Sequence, residues 1–315
     1  MPKKKTYAKK ISFRKKGFLD LPFSWIFALI VGAIILFGAI YFATRASNVA
    51  STASSAQAGA SLVNLLSPLE NGVGSANMIT ITLPLNSRID HQCSSFGNFG
   101  KDTLSVDQFI NGKWGGTEVS ISSQNKYIFS PVFFQGKTFN VFSEPFNLPF
   151  NVADLMYMTN AQTKYCFVNM PLSSETALMN LNQNNFEFST CSGNATKICF
   201  NSNSNCDINV NTNAGTVEKS GSIMYFEGDA LMYAAIFSDK SIYECELGRL
   251  MKRTSSLTDI YLEKATILQK EGCTPQTNFA GFQNSLNGYN SSEDIFTVSN
   301  YANQLENGGY QCNLW

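Results

Sequence analysis

From Leu21 to Thr44 the chain runs without a single charged residue, between Asp20 and Arg45. A helix rises 1.5 Å per residue, so about 20 apolar residues suffice to cross a hydrocarbon layer of about 30 Å. The run is long enough to do so, and its apolar character all round is that of a membrane span rather than of an amphipathic surface helix. Trp25 and Tyr41 stand near its two ends, where amphipathic rings anchor a span at the interfaces.

Charge sets the expected orientation. Lys3, Lys4, Lys5, Lys9, Lys10, Arg14, Lys15 and Lys16 precede the run with no acid among them, and such a flank stays on the cytoplasmic side. Beyond Arg45 there are 14 basic and 22 acidic residues, a balance that argues against nucleic acid as a partner. The expected organisation is a basic cytoplasmic tail (1–20), a transmembrane helix in contact with membrane lipid (21–44), a helical or flexible stalk (45–76) and an extracytoplasmic domain (77–315). A cleaved secretory signal competes with this reading, with Ala56-Gln57-Ala58 as its cleavage box. Its apolar core would normally span only about 7–15 residues. Ala28 and Gly32 offer a small-residue face through which copies of the span could self-associate.

All eight cysteines follow the apolar run: Cys93, Cys166, Cys191, Cys199, Cys206, Cys245, Cys273 and Cys312. An even number on the expected outer side reads as disulfides formed in an oxidising compartment, with the pairing open. A zinc site is the weaker reading, since no Cys-x-x-Cys occurs and His91 is the only histidine.

Small apolar residues at near-helical spacing (Val49, Ala53, Ala56, Ala60, Val63, Leu66) predict a helical stalk ending at Pro68. Short β-type segments follow: Ile79–Leu83, Glu118–Ser122, Lys126–Phe129, Thr138–Phe142, Lys164–Val168, Phe186–Ser189 and Ile223–Phe226. They predict a mainly antiparallel sheet, with Asn201 to Asn213 as an exposed loop pinned by Cys199 and Cys206. Near residue 228 the period changes. Ser241 and Glu244 have the spacing of a capping box, and Tyr243, Leu247, Leu250, Leu257, Tyr261 and Leu268 fall on one face of a helix stopped by Gly272. That helix is too long for Cys245 and Cys273 to bond to each other. A shorter helix is expected from Glu293 to Glu306. The fold class is therefore α+β: a transmembrane helix extended by a stalk, then a disulfide-stabilised, mainly antiparallel β domain with a long C-terminal helix.

Motifs for chemistry are sparse. There is no Gly-x-Ser-x-Gly, His-Glu-x-x-His, P-loop or Gly-x-Gly-x-x-Gly, and one histidine leaves little material for a catalytic triad. Glu227 and Asp229 could act as an acid pair in a hydrolase of glycosidic bonds. Asp207, Asn209, Asn211 and Glu218 occupy positions 1, 3, 5 and 12 of a calcium-loop spacing, but Thr212 stands where that loop needs Gly, so a polar loop or strand edge is the alternative. Asn194-Ala-Thr196 and Asn290-Ser-Ser292 are glycosylation sequons. No catalytic residue, cofactor or enzymatic activity is expected.

Lys15-Lys16-Gly17-Phe18 before the apolar helix resembles the prepilin signal of type IV pilins. That resemblance implies cleavage after Gly17 and filament assembly through the helix, although Pro22 stands where pilins usually carry Glu. Gly17-Phe-Leu-Asp-Leu-Pro-Phe-Ser-Trp-Ile-Phe-Ala28, Tyr165-Cys-Phe-Val-Asn169, Gly228 to Ser238 and Tyr243 to Arg253 together resemble a set of uncharacterised single-pass envelope proteins from small-genome archaea. That resemblance implies topology and no site residues. The expected function is a membrane-anchored cell-surface protein that contacts protein or envelope partners, with a pilin-like subunit and an extracellular hydrolase as alternatives.

Overall fold

The computed structural model describes residues 23–70, 78–110, 112–114, 119–202, 205–272, 278–307 and 314–315. Between 47 and 70 it describes side chains only at 49, 53 and 55–60. The basic tail, the Gly17-Phe18 junction, Glu118, the last residues of the expected stalk, Cys273 and Cys312 lie outside the described residues. The chain divides into two units, Met1–Val49 and Ala50–Trp315.

The first unit is helical throughout its described part. Helix α1 runs from Phe23 to Glu70, and its segment Phe23–Ala46 has a mean hydropathy of 2.7 with none of it buried. Phe23, Leu29, Phe37 and Phe42 are all exposed. A contiguous apolar surface of this size in water marks a membrane or assembly face.

In the second unit α1 packs on the domain between Ser55 and Gly59. Ser55 and Ala58 are buried, and a Cβ on Gly59 would collide with the side chain of Ile121. Ala58, part of the sequence's cleavage box, therefore sits in a packed core. The helix also continues two residues past Pro68, which falls in its last turn, so the expected stop comes slightly late.

The first sheet holds β1 (Met78–Ser94), β2 (Lys101–Ile110), β3 (Lys113–Trp114), β4 (Val119–Ser123), β5 (Tyr127–Phe129), β6 (Phe133–Asn147) and β7 (Asn151–Asn160), in the order β3-β2-β1-β6-β7-β5 with β4 also on β2. All its pairings are antiparallel except β5 with β7. One face carries Ile81, Ile89, Val106, Phe139, Val141, Met156 and Met158, and Ala58 of α1 packs there. The other face, with Phe142, Leu155 and Tyr157, joins the main core. A sheet buried on both faces needs apolar side chains at every position, and Leu155-Met156-Tyr157-Met158 supplies them.

The second sheet has the order β13-β12-β11-β10-β8-β9 and comprises β8 (Tyr165–Val168), β9 (Phe186–Phe188), β10 (Thr196–Phe200), β11 (Ile208–Asn211), β12 (Thr216–Lys219) and β13 (Ser222–Tyr225). Its strands β9, β8, β10 and β11 are parallel neighbours, so the expectation of a mainly antiparallel domain holds for the first sheet and not for this one. Helix α2 (Leu172–Asn180) supplies the β8–β9 crossover that a parallel pair requires. The expected loop at 201–213 is shorter than the sequence suggested, because β11 begins at Ile208.

Between the sheets and the remaining helices lies α3 (Gly228–Phe237), whose residues from Leu231 to Phe237 are all buried. Lys219 closes its C-terminus by donating to the Ile236 and Ser238 carbonyls, where a cation meets the negative end of the helix dipole. Helix α4 (Lys240–Lys270) turns Tyr243, Leu247 and Leu250 fully into the core, while Leu257, Tyr261 and Leu268 pack against its margin, as the spacing predicted. Gly272 follows its C-terminus at φ 89°, a left-handed conformation that glycine adopts at no steric cost. The start differs from expectation: Asp239 is the N-cap residue, and the Glu244 carboxylate reaches Ser292 instead of closing a box with Ser241. Helices α5 (Phe279–Asn287) and α6 (Ile295–Glu306) complete the unit, α6 following a 3-10 turn at Ser292–Asp294.

Candidate functional site

The single histidine lies where β1, β2 and α4 meet. His91 Nδ1 is 2.7 Å from Ser130 Oγ, and Nε2 is 2.5 Å from Asp102 Oδ1. All three residues are buried. Asp102 stands directly across the ladder from Cys93, and Cys93 is bonded to Cys245 on α4. The next residue, Glu246, brings a second carboxylate to within 4.8 Å of the His91 and Asp102 ligand atoms.

Arg249, one turn further along α4, balances this charge. Its Nη1 donates to both Glu246 oxygens and to the Lys126 carbonyl, Nη2 donates to the Gln124 carbonyl, and Nε donates to the Phe99 carbonyl. Its guanidinium also lies 4.8 Å from the centre of the Tyr127 ring. One arginine thus ties α4 to two separate backbone segments, at Phe99 and at residues 124–126. Burial pushes the Glu246 carboxyl well above the usual carboxylate range, the Asp102 charge pushes it further, and Arg249 pulls it back.

Ser130, His91 and Asp102 form the order of contacts found in a serine hydrolase, with the two ring nitrogens exchanged. The geometry has no catalytic outlet, because all three groups are closed off from solvent and Ser130 Oγ also donates to its neighbouring Pro131 carbonyl. Nor do His91, Asp102 and Glu246 fit a metal ion. Two ligands bound at about 2.0–2.2 Å to a tetrahedral ion lie well over 3 Å apart, whereas His91 Nε2 and Asp102 Oδ1 are 2.5 Å apart, and both Glu246 oxygens are engaged by a guanidinium. The cluster is a buried electrostatic clamp on α4. Asp102 Oδ2 and the Tyr127 hydroxyl beside Arg249 have no hydrogen-bond partner among the described residues.

The acid-pair and calcium-spaced residues singled out from sequence lie apart from this cluster. Glu227 and Asp229 flank the start of α3 and are both exposed, but they meet different neighbours. Asp229 accepts from Ser174 and raises the half-buried Glu144, whose first cause of elevation is desolvation. Glu227 borders a groove beside the β6–β7 turn and α6 that Asp229 does not line. In the calcium-spaced segment Asp207 accepts from the Lys197 N–H, and Asn211 folds onto its own turn by accepting from the N–H groups of Asn213 and Ala214. Asn209 and Glu218 are cross-strand neighbours on β11 and β12. The segment is a hairpin in which Asn209, Asn211 and Glu218 line one groove that Asp207 does not line.

Six cysteines pair as Cys93–Cys245, Cys166–Cys191 and Cys199–Cys206. Both sequon asparagines are exposed. Around Asn290 the +2 hydroxyl, Ser292 Oγ, is buried and donates to Glu244. The His91 network was missed from sequence because its members are 11 to 158 residues apart; the available signal was the lone histidine two positions from a cysteine.

No family model, curated protein or solved structure matches this chain.

Proposed function

We propose that this chain is a membrane-anchored envelope protein whose folded domain lies outside the cytoplasm and makes protein or envelope contacts without catalysis. One observation carries the reading: an apolar, exposed helical segment long enough to span a bilayer belongs to the same chain as a domain with three disulfides among its described residues. The first needs lipid, and the second needs an oxidising compartment. The N-terminal basic run supports an inward-facing N-terminus. On intact cells, added protease should remove the domain while the protein resists alkaline extraction from membranes. A protected domain, or release by alkali, would refute the assignment.

A second reading, a pilin-like filament subunit, draws on one feature. Helix α1 is continuous over 48 residues, exposed and apolar at first and then packed at Ala58 on the antiparallel sheet. Mass spectrometry of the native N-terminus separates the two: a start at Phe18 favours the filament reading, and an intact basic tail removes it.

A further inference from the structure

We propose that one end of the first sheet is a binding site for a neutral oligosaccharide. The proposal rests on the reading of this domain as an outward-facing contact module and specifies what it contacts.

A groove of about 440 Å3 crosses strand ends drawn from β3, β2, β1, β6 and β7, within the size range of small-ligand sites. A break in pairing shapes it. β1 pairs with β6 as far as Thr82↔Thr138 and resumes at Ser87↔Gly136, so Leu83 to Asn86 bulge opposite a single residue. Phe109 and Trp114 line the groove with rings in edge contact at 5.2 Å. Arg88 holds the indole from one side, its guanidinium 5.2 Å from the ring centre, while its charge is met by Asp107.

Among the described residues, the polar side chains lining it besides the indole are amides: Asn86, Gln135, Asn160 and Gln162. Asn160 is fixed, donating to the Gln135 carbonyl and accepting from the Gln162 N–H. Gly136 makes this possible, since a Cβ there would lie 3.0 Å from the Asn160 amide nitrogen. The side-chain amides of Asn86, Gln135 and Gln162 are exposed and make no hydrogen bond among the described residues. Each offers both donors and an acceptor, which matches hydroxyl groups that also donate and accept. Aromatic rings supply flat apolar area for the C–H faces of a pyranose. Among the described residues no charged side chain lines the groove, which favours a neutral ligand.

The test uses the purified full chain in a detergent without sugar headgroups, titrated with cellotetraose, mannotetraose and tetra-N-acetylchitotetraose and followed by calorimetry. At least one should bind, Trp114→Ala should weaken that binding tenfold or more, and Gln135→Ala plus Gln162→Ala should weaken it with the melting temperature unchanged. Failure of all three sugars to bind, binding that survives Trp114→Ala, or preference for oligogalacturonate over the neutral sugars would overturn it. Protease exposure on cells tests the outward-facing reading separately, so the two can fail independently.

Discussion

Glu246 and Arg249 stand one turn apart on α4, and the Arg249 Nη1 donates to both Glu246 oxygens at 2.9 and 2.7 Å with both side chains wholly out of solvent. Such a pair contributes little net stability over an apolar replacement, yet losing one partner leaves an uncompensated buried charge. Arg249→Met would strand Glu246 and three backbone carbonyls together. We expect it to destabilise the domain by about 3–5 kcal/mol, read as a lower melting temperature of the full chain in detergent. A loss within experimental error would contradict the clamp.

The same pair sets a pH dependence. The Glu246 carboxyl is raised in the folded state by burial first and by Asp102 second. Its stabilising contribution is therefore complete below the unfolded value of about 4.3 and is lost as pH rises through the higher folded value. Glu144, raised by burial and then by Asp229, acts in the same sense. Melting temperatures should decline as pH rises above the unfolded carboxylate value of about 4.3, and Glu246→Gln should flatten the decline. An equal slope in the variant would place the effect elsewhere.

At the acid end the sign reverses at Glu187. Its carboxyl is lowered to about 2 by the hydrogen bond from Lys164 and by the Ser192 N–H. The stability it supplies is present above the unfolded value and is lost as pH falls through about 2. Carboxyl NMR should find Glu187 ionised well below the other glutamates, and Lys164→Ala should move it back toward the ordinary range.

The disulfides should differ in worth. Cys93–Cys245 closes 152 residues and Cys199–Cys206 closes 7. In the chain-entropy account they restrict the unfolded chain by about 5 and 2.5 kcal/mol. Replacing the first pair by serine should lower the melting temperature about twice as far as replacing the second.

The parts of the fold that were legible in the sequence are those whose chemistry repeats along the chain. Helix α4 declared itself through Tyr243, Leu247 and Leu250, and the apolar part of α1 through length alone. Strand β2 was missed because Asp102 and Asp107 point polar groups into buried positions, where His91 and Arg88 meet them. Strand β7 was missed for the opposite reason, since burial on both faces erases alternation. Helix α3 shows no period because it is buried on all sides. Glu244 had the right spacing for a capping box, but Ser292, 48 residues away, outcompetes Ser241 for it. The candidate site was less legible still, because Asp102, Ser130, Glu246 and Arg249 gain meaning only when the ladder and the Cys93–Cys245 bond bring them to His91.

The placement of the domain outside the cytoplasm is tested most directly by non-reducing peptide mapping of protein taken from native membranes. The account predicts linked peptides for Cys93–Cys245, Cys166–Cys191 and Cys199–Cys206, with no alkylation of these six residues before reduction. Alkylation of them as free thiols in the native membrane would contradict it.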